Sequence, residues 1–258
     1  MRLALLTTGL RPVPLAFHTL PGTPIGIVRW DLPERPSLRR VLVNTPVLAD
    51  ALARARGRDH ASLPRLCARH GLRYADIDKR TPSRLAERLR DWRIDLVVTS
   101  GCALVPMEAL ADVPHGGINL HPSPLPRYRG ADPLLWQVLE GEPVVGASVH
   151  RLAPGSDTGD LLDVATAPRP SRASRAELTD LTERQLGLPL LRRSIEDLDA
   201  GRARPRPQPS ASPTRYARSV AVDELSTLVP RERLDATTFA DVVAFLGTCP
   251  PAWREPAR

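Results

Sequence analysis

Continuous apolar runs alternate along the chain with stretches of helical period. Strands covered on both faces read as unbroken apolar runs, whereas amphipathic helices repeat every three to four residues. Residues 2–9, Arg-Leu-Ala-Leu-Leu-Thr-Thr-Gly, make a first buried strand ending at Gly9. Residues 24–30, 71–77 and 95–101 make three more, and 117–121, 145–152 and 159–165 complete the set. Helical patterns fall at 44–56, 62–70, 106–111 and 132–140. A further helix is predicted just after Pro14, and Thr81-Pro82 supplies an N-cap and first-turn pair for one running to about Trp92. Asp132-Pro133 supplies a second such pair. Residues 31–40 are charged and read as a loop. Strands alternating with helices imply parallel crossovers, so the expected fold class is α/β, a doubly wound, mostly parallel sheet.

The pattern changes in the last quarter. Ser174 to Ala200 is helical, with a capping-box spacing at Ser174 and Glu177 and a break predicted at Gly187-Leu188-Pro189. Arg202 to Pro213 is rich in proline and arginine and reads as a polyproline-like linker. Residues 235–247 are again apolar with helical period. The expected organisation is a catalytic domain over 1–200, a linker over 201–214 and a small appendage over 215–258, packed on the core or on a second copy.

Chemistry concentrates in two places. In Gly117-Ile118-Asn119-Leu120-His121 the apolar and polar residues alternate, so Asn119 and His121 share one face and Ile118 and Leu120 the other. Pro122, Pro124 and Pro126 then end the strand, because proline cannot donate to a ladder. The amide and the imidazole therefore sit at a strand's carboxyl end, where open α/β sheets bind ligands. The second place is Gly155-Ser156-Asp157-Thr158-Gly159-Asp160, a loop able to return a carboxylate over His121. An amide can steady an oxyanion, an imidazole can move a proton, and a carboxylate can fix the imidazole's tautomer and favour its charged form. That is equipment for acyl transfer by direct attack of a substrate amine. Asp157-Thr158-Gly159 is also the triplet of the aspartic proteases, but a single-chain dyad needs a second such triplet, and the sequence has none. The calcium-loop spacing is likewise missing after Asp157 and Asp160.

An isolated N-x-H triplet says little. Here it is followed in order by Ser123-Pro124-Leu125-Pro126, Gly130 and Asp157-x-Gly159. That ordered set resembles the 10-formyltetrahydrofolate-dependent formyltransferases, whose members act on methionyl-tRNA, glycinamide ribonucleotide or aminosugars, or hydrolyse the formyl folate. Pro124 stands where leucine is usual. The resemblance is strong over about 95–165, topological over 1–94, and not apparent beyond about 205. It implies a Rossmann-like formyltransferase fold, 10-formyltetrahydrofolate as co-substrate, and Asn119, His121 and Asp157 as catalytic residues, with His121 protonated. It also places Gly101, Cys102, Ala103, Leu104 and Val105, together with Pro154, Gly155 and Ser156, at the pterin, through main-chain contacts. The loop after the fourth strand is expected beside Asn119, and Cys102 in it reads as a small packed residue rather than a nucleophile. His150 is expected on a strand face or edge, with no role assigned.

Composition refines the choice of partner. Net charge is +7, yet Lys79 is the single lysine and proline numbers 28, a skew suggesting coding bias rather than a built basic patch. No basic and aromatic interleaving suggests a base-stacking surface. Nucleic acid is therefore disfavoured as a partner, and no OB-like barrel pattern is legible after residue 214. A small-molecule amine is expected: an aminosugar nucleotide, an amino acid or a hydroxylamine. The alternatives are a 10-formyltetrahydrofolate hydrolase, a methionyl-tRNA formyltransferase and a non-catalytic folate-binding protein. Cys67, Cys102 and Cys249 are odd in number and lack metal spacing, which points to a reducing cytoplasm and no metal. The apolar run from Leu3 to Leu6 is too short for a membrane span, and a homodimer is left open.

Overall fold

The computed structural model describes residues 1–31, 62–209, 214–216, 225, 229–250 and 253. The expected loop at 31–40, beyond Asp31, and the helical pattern at 44–56 lie outside them. The chain divides into two compact units, Met1–Gly116 and Gly117–Arg258.

The first unit holds four parallel strands: β1 (Arg2–Thr7), β2 (Thr23–Asp31), β3 (Arg73–Asp78) and β4 (Leu96–Ser100). They lie in the order β3-β2-β1-β4. β1 is paired on both sides, which explains its unbroken apolar run: Leu3, Ala4, Leu5 and Leu6 are fully buried. Helices α1 (Pro12–Ala16), α2 (Leu63–Arg69) and α3 (Pro82–Asp91) lie between successive strands. α1 begins at Pro12 rather than after Pro14, because proline at a helix start costs no hydrogen bond. α3 buries Leu85 and Leu89, one turn apart. The expected Thr81 cap is not made; its hydroxyl instead donates to Asp78 O at 2.7 Å. Parallel strands joined through helices are the crossovers of a doubly wound α/β sheet.

The second unit begins with β5 (Gly117–His121), β6 (Arg129–Gly130) and α4 (Pro133–Leu139). β7 (Val144–Arg151) and β8 (Leu161–Pro168) follow, and β5-β7-β8 pair antiparallel. Parallel crossovers thus describe the first unit, whereas the short connection from β7 to β8 makes a hairpin. Asp132 takes a left-handed φ of 53° and caps nothing, since its carboxylate pairs with Arg175 at 2.6 Å.

The long helical stretch starts as predicted. Ser174 Oγ accepts from Glu177 N, and Glu177 Oε2 accepts from Ser174 N at 2.8 Å, a capping box on α5 (Arg175–Thr179). No break occurs at Gly187. Residues 180–187 widen into π-helical turns that run into α6 (Leu188–Asp199). A wider turn absorbs Pro189, which has no N–H to give to the helix. Gly187 is needed for packing: a Cβ there would lie 2.7 Å from the Leu120 side chain on β5. β9 (Thr214–Tyr216) pairs in parallel with β6. α7 (Ala236–Leu246) starts at an Asp235 cap and packs Val242 and Phe245 into a cluster with Leu134, Leu135 and Val138 of α4. Among the described residues, no helix is long and apolar enough to cross a membrane.

Candidate active site

β5 presents its side chains as the alternation predicts. Ile118 and Leu120 are buried on the apolar face, and Asn119 and His121 occupy the other. The antiparallel partner sets a third group on that face: Asn119 stands opposite His150 of β7, and His121 opposite Ser148. Directly opposed residues point the same way. The proline-rich turn after β5 is pinned by Ser148, whose hydroxyl donates to Ser123 O at 2.7 Å and accepts from Leu125 N at 2.9 Å.

The hairpin loop brings Asp157 back to this face. Its φ is 53°, a left-handed conformation that aspartate tolerates better than most residues. Oδ1 lies 3.1 Å from Asn119 Nδ2, 3.3 Å from His150 Nε2 and 3.6 Å from His121 Nδ1. Oδ2 accepts from Gly130 N at 2.8 Å. The expected trio of Asn119, His121 and Asp157 is thus gathered, within the second unit, around one carboxylate.

The hydrogen bonds assign the protons. His121 Nε2 is 2.8 Å from Tyr128 O, an acceptor, so Nε2 carries hydrogen and Nδ1 faces Asp157. His150 Nδ1 is 2.8 Å from Arg151 O, and its Nε2 lies 3.1 Å from the Asn119 amide nitrogen and 3.3 Å from Asp157 Oδ1. Asn119 Nδ2 donates to Asp157 Oδ1. The imidazole rings of His121 and His150 meet edge to face, 6.4 Å between centroids.

Burial acts on both titrating members of the trio. It pushes the Asp157 carboxyl upward, but attraction to His121 and His150 and the Gly130 N–H overcome it and hold the group well below the usual carboxylate range. His121 moves the other way from the sequence expectation. Its ring is almost wholly buried, and loss of water lowers its pKa despite Asp157 and Tyr128 O, with His150 adding to the lowering. The resting pair is an ionised Asp157 beside an imidazole biased toward neutrality. An imidazole so placed can take a proton at Nδ1, where the carboxylate would stabilise the resulting charge.

The residues expected at a cofactor fall in both units. In the first, Gly101 to Val105 follow β4. Gly101 has φ +55°, and its carbonyl accepts from Thr8 Oγ1 at 2.7 Å. Leu104 is 65% exposed, while its carbonyl accepts from Trp30 Nε1. Cys102 is half-buried. In the second, Pro154 and Gly155 are exposed and Ser156 is half-buried, in a turn closed by Thr158 Oγ1 donating to Pro154 O at 2.7 Å. Gly159 is required by crowding: a Cβ there would sit 1.9 Å from Arg151 O. His150, the Tyr128 carbonyl and the Gly130 N–H were not assigned from sequence. Only the alternation of 145–152 hinted at His150, and placing it needs the register with β5.

Known proteins are similar to this chain in sequence and in fold. The family model described as Formyl transferase matches residues 47–185. A methionyl-tRNA formyltransferase from Acidothermus cellulolyticus is 36% identical over 187 residues, 68% of this chain and 56% of that relative. The chain spans about half the length of the curated relatives it matches. Among solved structures, WlaRD, a sugar 3N-formyl transferase, superposes with a TM-score of 0.65 at 12% identity over 97% of this chain and 82% of its own. Glycinamide ribonucleotide transformylase 1 from Symbiobacterium toebii does so with 0.56 at 20% identity, over 81% and 94%. The two structures establish the common fold; the family match spans the strand carrying Asn119 and His121 and the loop carrying Asp157, and this chain belongs to the formyl transferase family.

Proposed function

We propose that this protein is an N-formyltransferase that moves a formyl group from 10-formyltetrahydrofolate to the amine or hydroxylamine of a small molecule, such as an aminosugar nucleotide or an amino acid. The observation that carries the reading is the Asp157 carboxylate, half-buried, ionised and set 3.1 Å from Asn119 and 3.6 Å from His121. Transfer from a formyl donor to an amine needs a proton acceptor for the attacking nitrogen and a donor for the tetrahedral oxyanion. His121 Nδ1 is the acceptor: it takes the amine proton as the C–N bond forms, and Asp157 holds the imidazolium. As the carboxylate turns to that new charge, an Asn119 amide hydrogen becomes available to the oxyanion. The proton on His121 then serves the departing tetrahydrofolate nitrogen, directly or through a water. The donor set fits such a co-substrate, since exposed main chain at Pro154 and Gly155 adjoins the carboxylate. The cofactor-contacting roles of Gly101–Val105 and Pro154–Ser156 rest on the resemblance to the family. Three free thiols accord with a cytoplasmic enzyme.

The small-molecule acceptor draws support from the charge distribution. Among the described residues, Arg29, Arg80, Arg90, Arg175, Arg193 and Arg202 each lie beside an acidic side chain. Arginines paired within the chain offer less to a phosphate backbone than the net charge suggests. A second reading, charged initiator tRNA as acceptor, is favoured by the methionyl-tRNA formyltransferases among the relatives. One assay separates the two: tetrahydrofolate release from 10-formyltetrahydrofolate, with a panel of aminosugar nucleotides, amino acids, hydroxyornithine and charged initiator tRNA. Release that depends on a small amine supports the first reading; release that depends on tRNA replaces it with the second. Release without any acceptor would make water the acceptor, and no release with any of them would sink the catalytic reading.

A further inference from the structure

The segment from Arg206 to Pro209, expected from its composition to be linker, lies on the Asp157 loop. Arg206 and Leu161 exchange both main-chain hydrogen bonds, each 2.8 Å, which ties the segment to the start of β8. Gln208 then reaches the loop itself. Its Nε2 donates to the main-chain oxygens of Asp157, at 3.0 Å, and Gly159, at 2.6 Å. Its Oε1 accepts from Arg129 Nε at 3.0 Å and Nη2 at 2.8 Å, and the same Nη2 donates to Pro209 O. Arg129 is 5% exposed, and the next residue, Gly130, donates its N–H to Asp157 Oδ2.

These bonds close a ring around the carboxylate. It runs from Asp157 O to Gln208, to the Arg129 side chain, along the chain to Gly130, and back to Asp157 Oδ2. Both hydrogens of the Gln208 amide end on carbonyls of the catalytic loop, and its oxygen is bound twice by one buried guanidinium. A spacer between domains has no need of such convergence. The loop does: Asp157 sits at a left-handed φ, and a non-glycine residue keeps that conformation when its surroundings over-determine it. The family match ends at residue 185, so Gln208 lies beyond it.

We propose that Gln208 is a positioning residue for the transfer reaction, holding the Asp157 main chain so that the carboxylate stays against Asn119 and His121. This rests on the reading of those three residues as the reacting groups. Gln208→Met keeps the side chain's length and removes its donors and acceptor. Gln208→Glu keeps an acceptor for Arg129 and removes the donors to the loop; it decides the matter should the first variant not fold. Two measurements on the full chain are needed: steady-state kinetics with 10-formyltetrahydrofolate and whichever acceptor supports turnover, and titration of the His121 imidazole by NMR. The expected result is a loss in kcat of about ten- to a hundredfold, the scale of a sub-ångström to 1 Å misplacement. The His121 midpoint should move down, since a displaced carboxylate no longer favours the charged ring. Unchanged kcat with an unchanged midpoint, a change confined to KM, or a change confined to thermal stability would overturn the proposal. If the unaltered protein shows no turnover with any acceptor, the functional reading fails, and the imidazole titration alone decides whether Gln208 places Asp157.

Discussion

Asn119 and His150 face each other across β5 and β7, with the amide nitrogen 3.1 Å from His150 Nε2. His150 Nδ1 is committed to the Arg151 carbonyl, so Nε2 is the ring atom turned to the amide nitrogen and, 3.3 Å away, to Asp157 Oδ1. The same amide nitrogen donates to Asp157 Oδ1 at 3.1 Å. His150 thus lies against both Asn119 and Asp157 without being a neighbour of either in sequence.

Replacing His150 by alanine removes the ring that lies against the Asn119 amide and the Asp157 carboxylate and lets the amide turn over. The expected loss in kcat is about tenfold, against the two to three orders of magnitude typical of losing an oxyanion donor, as in Asn119→Ala. If the histidine acts through the amide, His150→Ala added to Asn119→Ala costs little more than Asn119→Ala alone. A double-mutant cycle on kcat checks this, and fully additive losses would show that His150 acts on its own.

Gly159→Ala tests the loop from its other end. The added methyl would lie 1.9 Å from Arg151 O, and neither partner is a flexible side chain. The hairpin closes there, with Arg151 N donating to Asp160 O at 2.8 Å, so the main chain must shift and carry Asp157 with it. The expected outcome is a folded protein whose kcat falls about a hundredfold. Circular dichroism alongside the kinetics distinguishes this from unfolding, and full turnover would mean that the carboxylate's position tolerates displacement.

Stability should fall on acidification, first through His121. Its folded pKa lies below the ordinary histidine value of 6.5, so the unfolded chain takes up the proton first as pH drops through that value. The loss continues until the lower folded pKa is passed. Asp157 contributes in the same direction at lower pH. Its folded pKa lies below the reference 3.8, so its stabilisation is complete above that value and disappears as pH falls through the folded one. Thermal unfolding followed between about pH 7 and pH 5 should show a falling midpoint that is shallower in His121→Gln. An identical slope in the variant would assign the effect to another group.

The ordered residues Asn119, His121 and Asp157 were legible because strand alternation and chain order place them, and the fold followed from the apolar runs. What escaped is what depends on register or on contacts distant in sequence. His150 joins the site only through its pairing with Asn119, and no local pattern sets that pairing. A mostly parallel sheet leaves open which strands run antiparallel, because a helix between two strands reads the same whether or not it crosses over. The electrostatics of His121 are legible only in part for a related reason: a neighbouring carboxylate is visible in sequence, but the burial that lowers the ring's pKa is not. Gln208 was hidden by composition, since a stretch dense in proline and arginine gives no sign that one glutamine in it binds two loop carbonyls.

The C-terminal helix α7 provides the last prediction. Asp241, 2% exposed, accepts from Arg169 Nη1 at 2.8 Å and from Arg172 N at 2.5 Å. The Arg169 side chain is itself only 8% exposed, and its Nε donates to Glu142 O at 2.6 Å. A buried pair of this kind contributes little net energy when intact, yet removing one partner strands the other charge away from water. Asp241→Ala should therefore destabilise the fold by about 3 kcal/mol, the low end for such a break. Because the pair joins α7 to the segment following β8 rather than to the Asp157 loop, kcat measured below the unfolding transition should change little. Denaturant unfolding of the variant beside kinetics checks both halves. A stability unchanged by the substitution would show that α7 contributes little to holding the second unit together, while a selective loss of kcat would give the helix a role in the reaction that its contacts with α4 do not suggest.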